Sequence, residues 1–264
     1  MYAKKSLGQN FLLCAWVIDE LLSAAEIKNT DIILEIGPGT GVLTRPLAHM
    51  AKKVIAVEKD ERLAAKLADS LKKEGISNVE IVPADILDLL KSDFHSLNYK
   101  LSTKSYKLIG NIPYYLTSRL LRLIFEQTTL PEKIALTVQK EVSERIIATP
   151  PDMSILGISV QVFGKPSVIK TIPSSCFYPK PKVNSAILAI SGISDDFFKK
   201  NKLNKENFFS LIKLGFSQKR KKLSNNLRGL ISSAIIADLK IPINARAEEL
   251  SLGQWVKILR AIKP

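Results

Sequence analysis

Five residues suited to a buried strand, Ile32-Ile33-Leu34-Glu35-Ile36, run straight into Gly37-Pro38-Gly39-Thr40-Gly41, and a helical pattern follows over 42–50. A strand, a glycine-rich turn and a helix in direct succession open a unit whose next strand must lie parallel to the first. The pattern then repeats. Strands are predicted over 53–58, 79–82, 106–110 and 133–138, with helices over 61–73, 118–126 and 140–148 between or after them. Such a rhythm predicts an α/β fold with a mostly parallel sheet covered on both faces. After Pro150-Pro151, apolar runs at 155–163, 168–172 and 186–190 are read as closing that sheet, and 91–105 reads as a loop. The pattern changes near Ser191: from Asn204 onward, apolar and basic residues alternate at helical spacing. Two domains are therefore expected, an α/β domain over 1–191 and a small helical one over 192–264.

Charge narrows the partners. The chain carries a net charge of +14, and from Gly192 onward fifteen Lys and Arg stand against six Asp and Glu. Concentrated positive charge favours nucleic acid or another anionic surface. No run of eighteen apolar residues is present to span a membrane, and the start, Met1-Tyr2-Ala3-Lys4-Lys5-Ser6, does not read as a secretion signal. With only Cys14 and Cys176, neither a disulfide framework nor a zinc cluster is expected, and a reducing cytosol is the natural home. Cys176 reads as a small packed hydrophobe. His49 and His95 lie in unrelated contexts and read as surface residues, so no metal site is expected.

Glycines in a strand-to-helix turn let a ligand approach the backbone, and the helix start offers free N–H groups. Gly37 and Gly39 stand there. Glu58 ends the second strand, where an acid can grip both hydroxyls of a ribose. Asp85 follows the third strand, placed to accept from an adenine amino group. Two acids at successive strand ends point to an adenosine-containing cofactor, although Glu58 could be a solvated strand end and Asp85 a helix N-cap. A dinucleotide turn spaces its glycines G-x-G-x-x-G; here the spacing is G-x-G-x-G, with Glu35 two positions ahead. That arrangement resembles the S-adenosylmethionine turn of Rossmann-like methyltransferases, where the cationic amino-acid end of the cofactor favours nearby carboxylates and carbonyls.

The most specific motif is Asn111-Ile112-Pro113-Tyr114, at the end of the fourth predicted strand. An exocyclic adenine amine is a poor nucleophile because its lone pair is delocalised into the ring. The amide oxygen of Asn111 and a backbone carbonyl of Ile112 or Pro113 can accept the amine hydrogens and aim the lone pair at a donor methyl. Tyr114 can stack on the base and hold it out of its helix. The alternative is an ordinary turn after a strand.

With these motifs in place the chain resembles the small-subunit ribosomal RNA adenine dimethyltransferases, the KsgA/Dim family, nearly end to end. The likeness is carried by Lys5-Ser6-Leu7-Gly8-Gln9-Asn10-Phe11-Leu12, the glycine turn, and Asn111-Ile112-Pro113-Tyr114. It continues through Pro173-Ser174-Ser175-Cys176-Phe177-Tyr178-Pro179-Lys180-Pro181-Lys182-Val183-Asn184-Ser185, Phe216-Ser217-Gln218-Lys219-Arg220-Lys221-Lys222-Leu223 and Glu249-Leu250-Ser251-Leu252. The resemblance implies a Rossmann-like methyltransferase domain with a C-terminal helical RNA-binding domain, acting as a monomer. It implies S-adenosylmethionine contacts from Asn10, Leu12, Gly37, Gly39, Glu58, Asp85 and Asn111. Asn111 and Pro113 would face the target amine, and Tyr114 and Phe177 would sandwich the target adenine. The substrate implied is a pair of neighbouring adenines in a hairpin loop near the 3′ end of small-subunit RNA, in a pre-ribosomal particle, each receiving two methyl groups.

Lys180 and Lys182, beside Phe177, can guide RNA toward the pocket. Lys219, Arg220, Lys221, Lys222 and Arg228, with Asn225 and Asn226, are expected on one or two helical turns as phosphate contacts, against the plainer reading of a solvated helix face. Rival readings are a large-subunit adenine methyltransferase conferring antibiotic resistance and a non-catalytic ribosome assembly factor. A nicotinamide dehydrogenase is disfavoured by its glycine spacing.

Overall fold

A computed structural model describes residues 7–92 and 106–262. Most of the segment read as a loop over 91–105, together with His95, Lys5 and Ser6, lies outside the described residues. The chain divides into two compact units. The first comprises Met1–Ser143 and Lys165–Ile193, the second Glu144–Gly164 and Ser194–Pro264.

The first unit opens with a two-residue strand β1 (Phe11–Leu12) and helix α1 (Ala15–Ala25). Then come β2 (Ile32–Ile36), α2 (Thr44–Met50), β3 (Lys53–Glu58), α3 (Glu61–Lys73), β4 (Val79–Pro83), α4 (Ile86–Ser92) and β5 (Lys107–Asn111). A helix over Thr117–Phe125 leads to β6 (Lys133–Gln139), and β7 (Lys165–Ile172), β8 (Phe177–Tyr178) and β9 (Ser185–Ser191) follow later in the chain. The seven-stranded sheet runs β4-β3-β2-β5-β6-β9-β7, parallel from β4 to β6 and antiparallel at β6–β9 and β9–β7. Central strands read as continuous Ile, Val, Leu and Ala because both faces are covered: Ile33, Leu34, Val54, Ile55, Leu108, Ile109 and Leu136 are all fully buried.

Strand order reverses between β2 and β5. The chain leaves β2 toward β3 on one side and leaves β5 toward β6 on the other, so a crevice opens at the carboxyl ends of these two neighbours. Their approach is close. A Cβ on Gly110 would stand 2.5 Å from the Ile36 carbonyl oxygen, so only glycine fits one residue before Asn111. At the opposite end, the buried Lys107 ammonium meets Asp31 at 2.8 Å and also donates to the Glu26 carbonyl, which satisfies a charge that burial would otherwise penalise. Helix α3 is fastened at its start by Asp60, whose carboxylate accepts the Arg62 N–H at 3.2 Å, and it buries Ala64, Leu67 and Leu71.

Two expectations are corrected by the fold. The run at 155–163, read as closing the sheet, is instead a helix, Ile155–Gln161, and belongs to the second unit. Its isoleucines and valine fit a buried helix as well as a strand, and Ser154 decides the matter by capping it, its hydroxyl accepting the Gly157 N–H at 3.0 Å. The cysteines are also not free. Antiparallel pairing of β1 with β8 sets Leu12 opposite Phe177, the Leu13 N–H donates to the Cys176 carbonyl at 2.8 Å, and Cys14 and Cys176 form a disulfide with Cα atoms 5.1 Å apart. The two are separated by 162 residues, so no local pattern signals the pair. Cys176 is buried, as expected, but as half of a bridge.

The second unit is helical. Phe163, Phe198 and Phe208 form its aromatic centre, with ring centroids 5.4 Å apart for Phe163–Phe198 and 5.7 Å for Phe198–Phe208. Trp255 is fully buried on the helix Leu252–Ala261, whose start carries a reciprocal cap between Ser251 and Gln254. Residues 144–164 belong here although they precede the last three strands, a recruitment that no composition shift marks.

A bridge closing so long a loop restricts the unfolded chain, and a protein with Cys14→Ser and Cys176→Ser is expected to lose about 2–4 kcal/mol. Urea denaturation of wild type with and without dithiothreitol checks this. Coincident midpoints would show that the bridge contributes nothing in solution.

Candidate active site

The crevice at the strand ends is an open cleft within the first unit. Asn10, Leu12, Gly37, Gly39, Glu58, Asp85, Asn111 and Pro113 all line it. The N-terminal segment and the ends of four successive strands, β2 to β5, deliver them. Gly37 and Gly39 leave β2 with φ of +68° and +57°, conformations that L side chains rarely adopt, and the Phe11 ring of the N-terminal segment lies over Gly39. Arg45 ties this turn to the end of α3: its guanidinium donates to the Thr40 carbonyl at 2.9 Å, to Ser70 at 2.9 Å and to Glu74 at 2.7 Å. Hydrogen bonds from Arg45 and Ser70 hold the Glu74 carboxyl down at about 2.

Glu58, at the end of β3, is buried and accepts the Gly39 N–H at 3.0 Å and the Asp60 N–H at 2.9 Å, one on each oxygen. Burial raises its pKa above the usual carboxylate range despite these donors. A second lone pair on each oxygen stays available to a ligand hydroxyl. Asp85 lines the cleft and is a helix N-cap, the second of the two readings the sequence allowed. One oxygen accepts the Leu87 N–H at 2.9 Å as the cap of α4, and the other meets the Lys59 ammonium at 2.7 Å. Burial works to raise the Asp85 carboxyl, and the Lys59, Leu87 and Lys91 groups together hold it below its ordinary value.

Glu35 sits deeper. It is 1% exposed, yet it lines the cleft, and its Oε2 has no hydrogen-bond partner. Removal from water pushes its carboxyl up to about 8; the Thr44 hydroxyl opposes the shift and the Glu58 carboxylate adds to it. An orphaned buried carboxyl facing a cleft is costly unless a ligand cation or donor completes it.

Asn111 closes β5. Its Nδ2 donates to the Asn10 carbonyl at 2.9 Å, and its Oδ1 accepts from the Thr137 hydroxyl at 2.5 Å. The N-terminal segment therefore reaches the site through backbone: the Asn10 side chain turns back to donate to the Gly8 carbonyl at 3.3 Å. Tyr114 and Phe177 stand outside the cleft lining. Tyr114 is half-buried, its hydroxyl 2.7 Å from Ser185 Oγ, and Phe177 is buried in the hydrophobic cluster with Leu12, Ile172 and Cys176. The cleft is lined instead by Tyr115, which is 60% exposed, and by Phe11, Thr40 and Lys59. Phe11 and Thr40 stand inside the quoted motifs with no role assigned to them, and Tyr115 and Lys59 each directly follow a residue that was singled out.

Lys180 and Lys182 are exposed in the first unit, and Lys219, Arg220, Lys221, Lys222 and Arg228 are exposed in the second. The expected helical turns for the latter group are absent. The chain over 217–222 is a turn, and a helix runs only over Leu223–Asn226. Asn226 explains the change: it is buried, and its Nδ2 donates to the Gly215 carbonyl at 2.5 Å and the Gln218 carbonyl at 3.2 Å, pinning the turn from beneath. It is therefore not a surface partner of the lysines.

The high Glu35 value carries a stability consequence. The folded chain keeps this proton while the unfolded chain releases it near pH 4.5, so the contribution is fully present below pH 4.5 and is lost as pH rises to about 8. Urea denaturation at pH 5 and pH 8 is expected to show wild type losing stability relative to Glu35→Gln across that interval. Parallel behaviour of the two proteins would contradict the assignment.

The description "Ribosomal RNA adenine dimethylase" belongs to the family profile that matches residues 1–263. Ribosomal RNA small subunit methyltransferase A of Dehalococcoides mccartyi is 38% identical over 262 residues, covering 97% of this chain and 87% of its own length. The protein of that name in Francisella tularensis subsp. novicida is also 38% identical, covering 97% of this chain and 96% of its own. Among solved structures, a dimethyladenosine transferase from Plasmodium falciparum superposes with a TM-score of 0.77 at 27% identity, over 95% of this chain and 96% of that one.

Proposed function

The chain belongs to the ribosomal RNA adenine dimethylase family, and from that premise we propose that its cleft holds S-adenosylmethionine with the target adenine amine presented at Asn111. The chain is an S-adenosylmethionine-dependent adenine N6,N6-dimethyltransferase of small-subunit ribosomal RNA. When bound, the cofactor supplies an electrophilic methyl on a sulfonium. The residues present suit it: Glu58 offers acceptors for ribose hydroxyls, Asp85 an acceptor for an adenine amino group, and Glu35, whose Oε2 has no hydrogen-bond partner, an acceptor for an amino-acid ammonium whose charge would favour loss of the Glu35 proton. Asn10 and Leu12 cover the site from the N-terminal segment.

The observation that carries the reading of Asn111 is the orientation of its amide. The Asn10 carbonyl can only accept, so Nδ2 must face it, and Oδ1 is turned the other way with a lone pair left for an amine hydrogen. A carbonyl of Ile112 or Pro113 takes the other hydrogen. Drawing both hydrogens to fixed acceptors concentrates the nitrogen lone pair on the side facing the methyl, which is orientation and electrostatics and not base catalysis. The proton leaves after transfer, so no strong base is needed. Tyr114 and Phe177 hold the flipped base, and because Phe177 is buried, the base enters only if this aromatic side chain or its neighbours move. Lys180, Lys182 and the exposed basic turn 219–222 take RNA phosphates.

The finer substrate is two neighbouring adenines in a hairpin loop near the 3′ end of small-subunit RNA, presented in a pre-ribosomal particle. The chain works as a monomer, and in the cytoplasm where small subunits are assembled. No helix among the described residues is long and apolar enough to cross a membrane.

Tritiated S-adenosylmethionine and small subunits from cells lacking the modification test the reading. Wild type is expected to place dimethyladenosine in small-subunit RNA, and Asn111→Ala to lower kcat at least a hundredfold, the scale of removing one preorganised polar group. Label in the variant at the wild-type rate would remove Asn111 from the mechanism.

A further inference from the structure

Two buried hydroxyls lie directly behind the motif. Thr137 is in the middle of β6, in register with Asn111 on the parallel neighbour β5, and it is fully buried. Ser185 begins β9 and is also fully buried. In the antiparallel ladder Thr137 pairs with Ile187, so Ser185, two residues from Ile187, projects from the same face of the sheet. Thr137 Oγ1 donates to Asn111 Oδ1 at 2.5 Å, and Ser185 Oγ is 2.7 Å from the Tyr114 hydroxyl. The residues flanking Thr137, Leu136 and Val138, are fully buried and apolar. A hydroxyl is unfavourable in such a strand unless it is bonded, and valine would fill the same volume. The two hydroxyls therefore need a reason to be there, and in each case the partner is a side chain of the Asn111-Ile112-Pro113-Tyr114 motif.

Building on the proposed roles of Asn111 and Tyr114, we infer that Thr137 and Ser185 are positioning residues of the methyl-transfer site, holding the Asn111 amide and the Tyr114 ring for the target adenine. The amide is held at both ends. The Asn10 carbonyl fixes Nδ2, and Thr137 fixes Oδ1 on the sheet side. Without Thr137 the amide is anchored only by the N-terminal segment, which also covers the cofactor, so its orientation would follow that segment's movement. Thr137 leaves one lone pair of Oδ1 for the substrate. Ser185 does the same for the ring. Tyr114 lies in a short 3-10 turn after Pro113, and a bond at the far end of its side chain fixes the ring plane that a base would stack on. Neither hydroxyl touches substrate in this arrangement. Their effect is on the chemical step and on base capture, transmitted through one hydrogen bond each.

The test is steady-state kinetics on undermethylated small subunits, with cofactor affinity measured separately by calorimetry. Thr137→Val is expected to lower kcat about five- to tenfold, the value of one hydrogen bond, with KM for the subunit and cofactor affinity nearly unchanged. Thr137→Ser, which restores the donor, is expected to recover most of the rate. Ser185→Ala and Tyr114→Phe are each expected to weaken kcat/KM by a similar factor, and the double variant to be no worse than either single one. Full activity in Thr137→Val, no rescue by serine, or multiplied losses in the Ser185–Tyr114 pair would overturn the inference. The cycle uses Tyr114→Phe, a change outside the sheet, so a fold defect in Ser185→Ala would appear as a loss that persists in the phenylalanine background. Failure of the underlying reading looks different: Asn111→Ala and Tyr114→Ala would then keep their activity. If those two are inactive while the cycle multiplies, only the positioning role falls.

Discussion

Everything in the site depends on β2 and β5 lying side by side as parallel strands while the chain departs from them in opposite directions. That reversal opens a crevice that no other pair in the sheet offers, and the approach is close enough that Gly110 cannot carry a Cβ beside the Ile36 carbonyl. With that contact made, the glycine turn after β2 and Asn111 after β5 face one space. Glu58 and Asp85 join because β3 and β4 stack outward from β2 in register. The order of side chains along the strand ends thus sets the order of proposed ligand contacts along the cleft, from Asn111 to Glu35, Glu58 and Asp85.

A second constraint acts from outside the sheet. The N-terminal segment is tied to the β8 strand by backbone pairing and by the Cys14–Cys176 bridge, and it places the Asn10 carbonyl against the Asn111 amide and the Phe11 ring over Gly39. The segment proposed to cover the cofactor and the Asn111 amide are consequently one assembly. Phe177 follows Cys176 directly, so the aromatic side chain proposed to stack on the target base is carried by the same strand that clasps the cover. The Asn111 amide is bonded at both ends, and the segment beside it is tied to β8 at two points.

Much of this was readable from the residues. Strand–helix alternation through 32–148 followed from apolar period, because both-face burial writes itself as unbroken runs, and the β2, β3 and α3 spans matched residue for residue. Strand-end acids and Asn111 were legible because parallel sheets put such residues on one edge. What was not legible came from long-range placement. The helix Ile155–Gln161 is as apolar as a strand of that length, and only its cap distinguishes it. Asn226 reads as a surface amide beside four basic residues, but it turns inward to carbonyls eight and eleven positions back. The disulfide, and the hydroxyls of Thr137 and Ser185, gain meaning only when strands distant in sequence become neighbours.

The central claim is that the strand ends of one sheet bind the methyl donor and aim it at Asn111. A crystal structure of the chain with S-adenosylhomocysteine, the demethylated product, tests it most directly. The account predicts ribose hydroxyls on Glu58, the ligand's ammonium toward Glu35, and its sulfur open toward Asn111, with the amide still held between Asn10 and Thr137. A ligand bound elsewhere, or one whose sulfur faces away from a rotated Asn111, would contradict it.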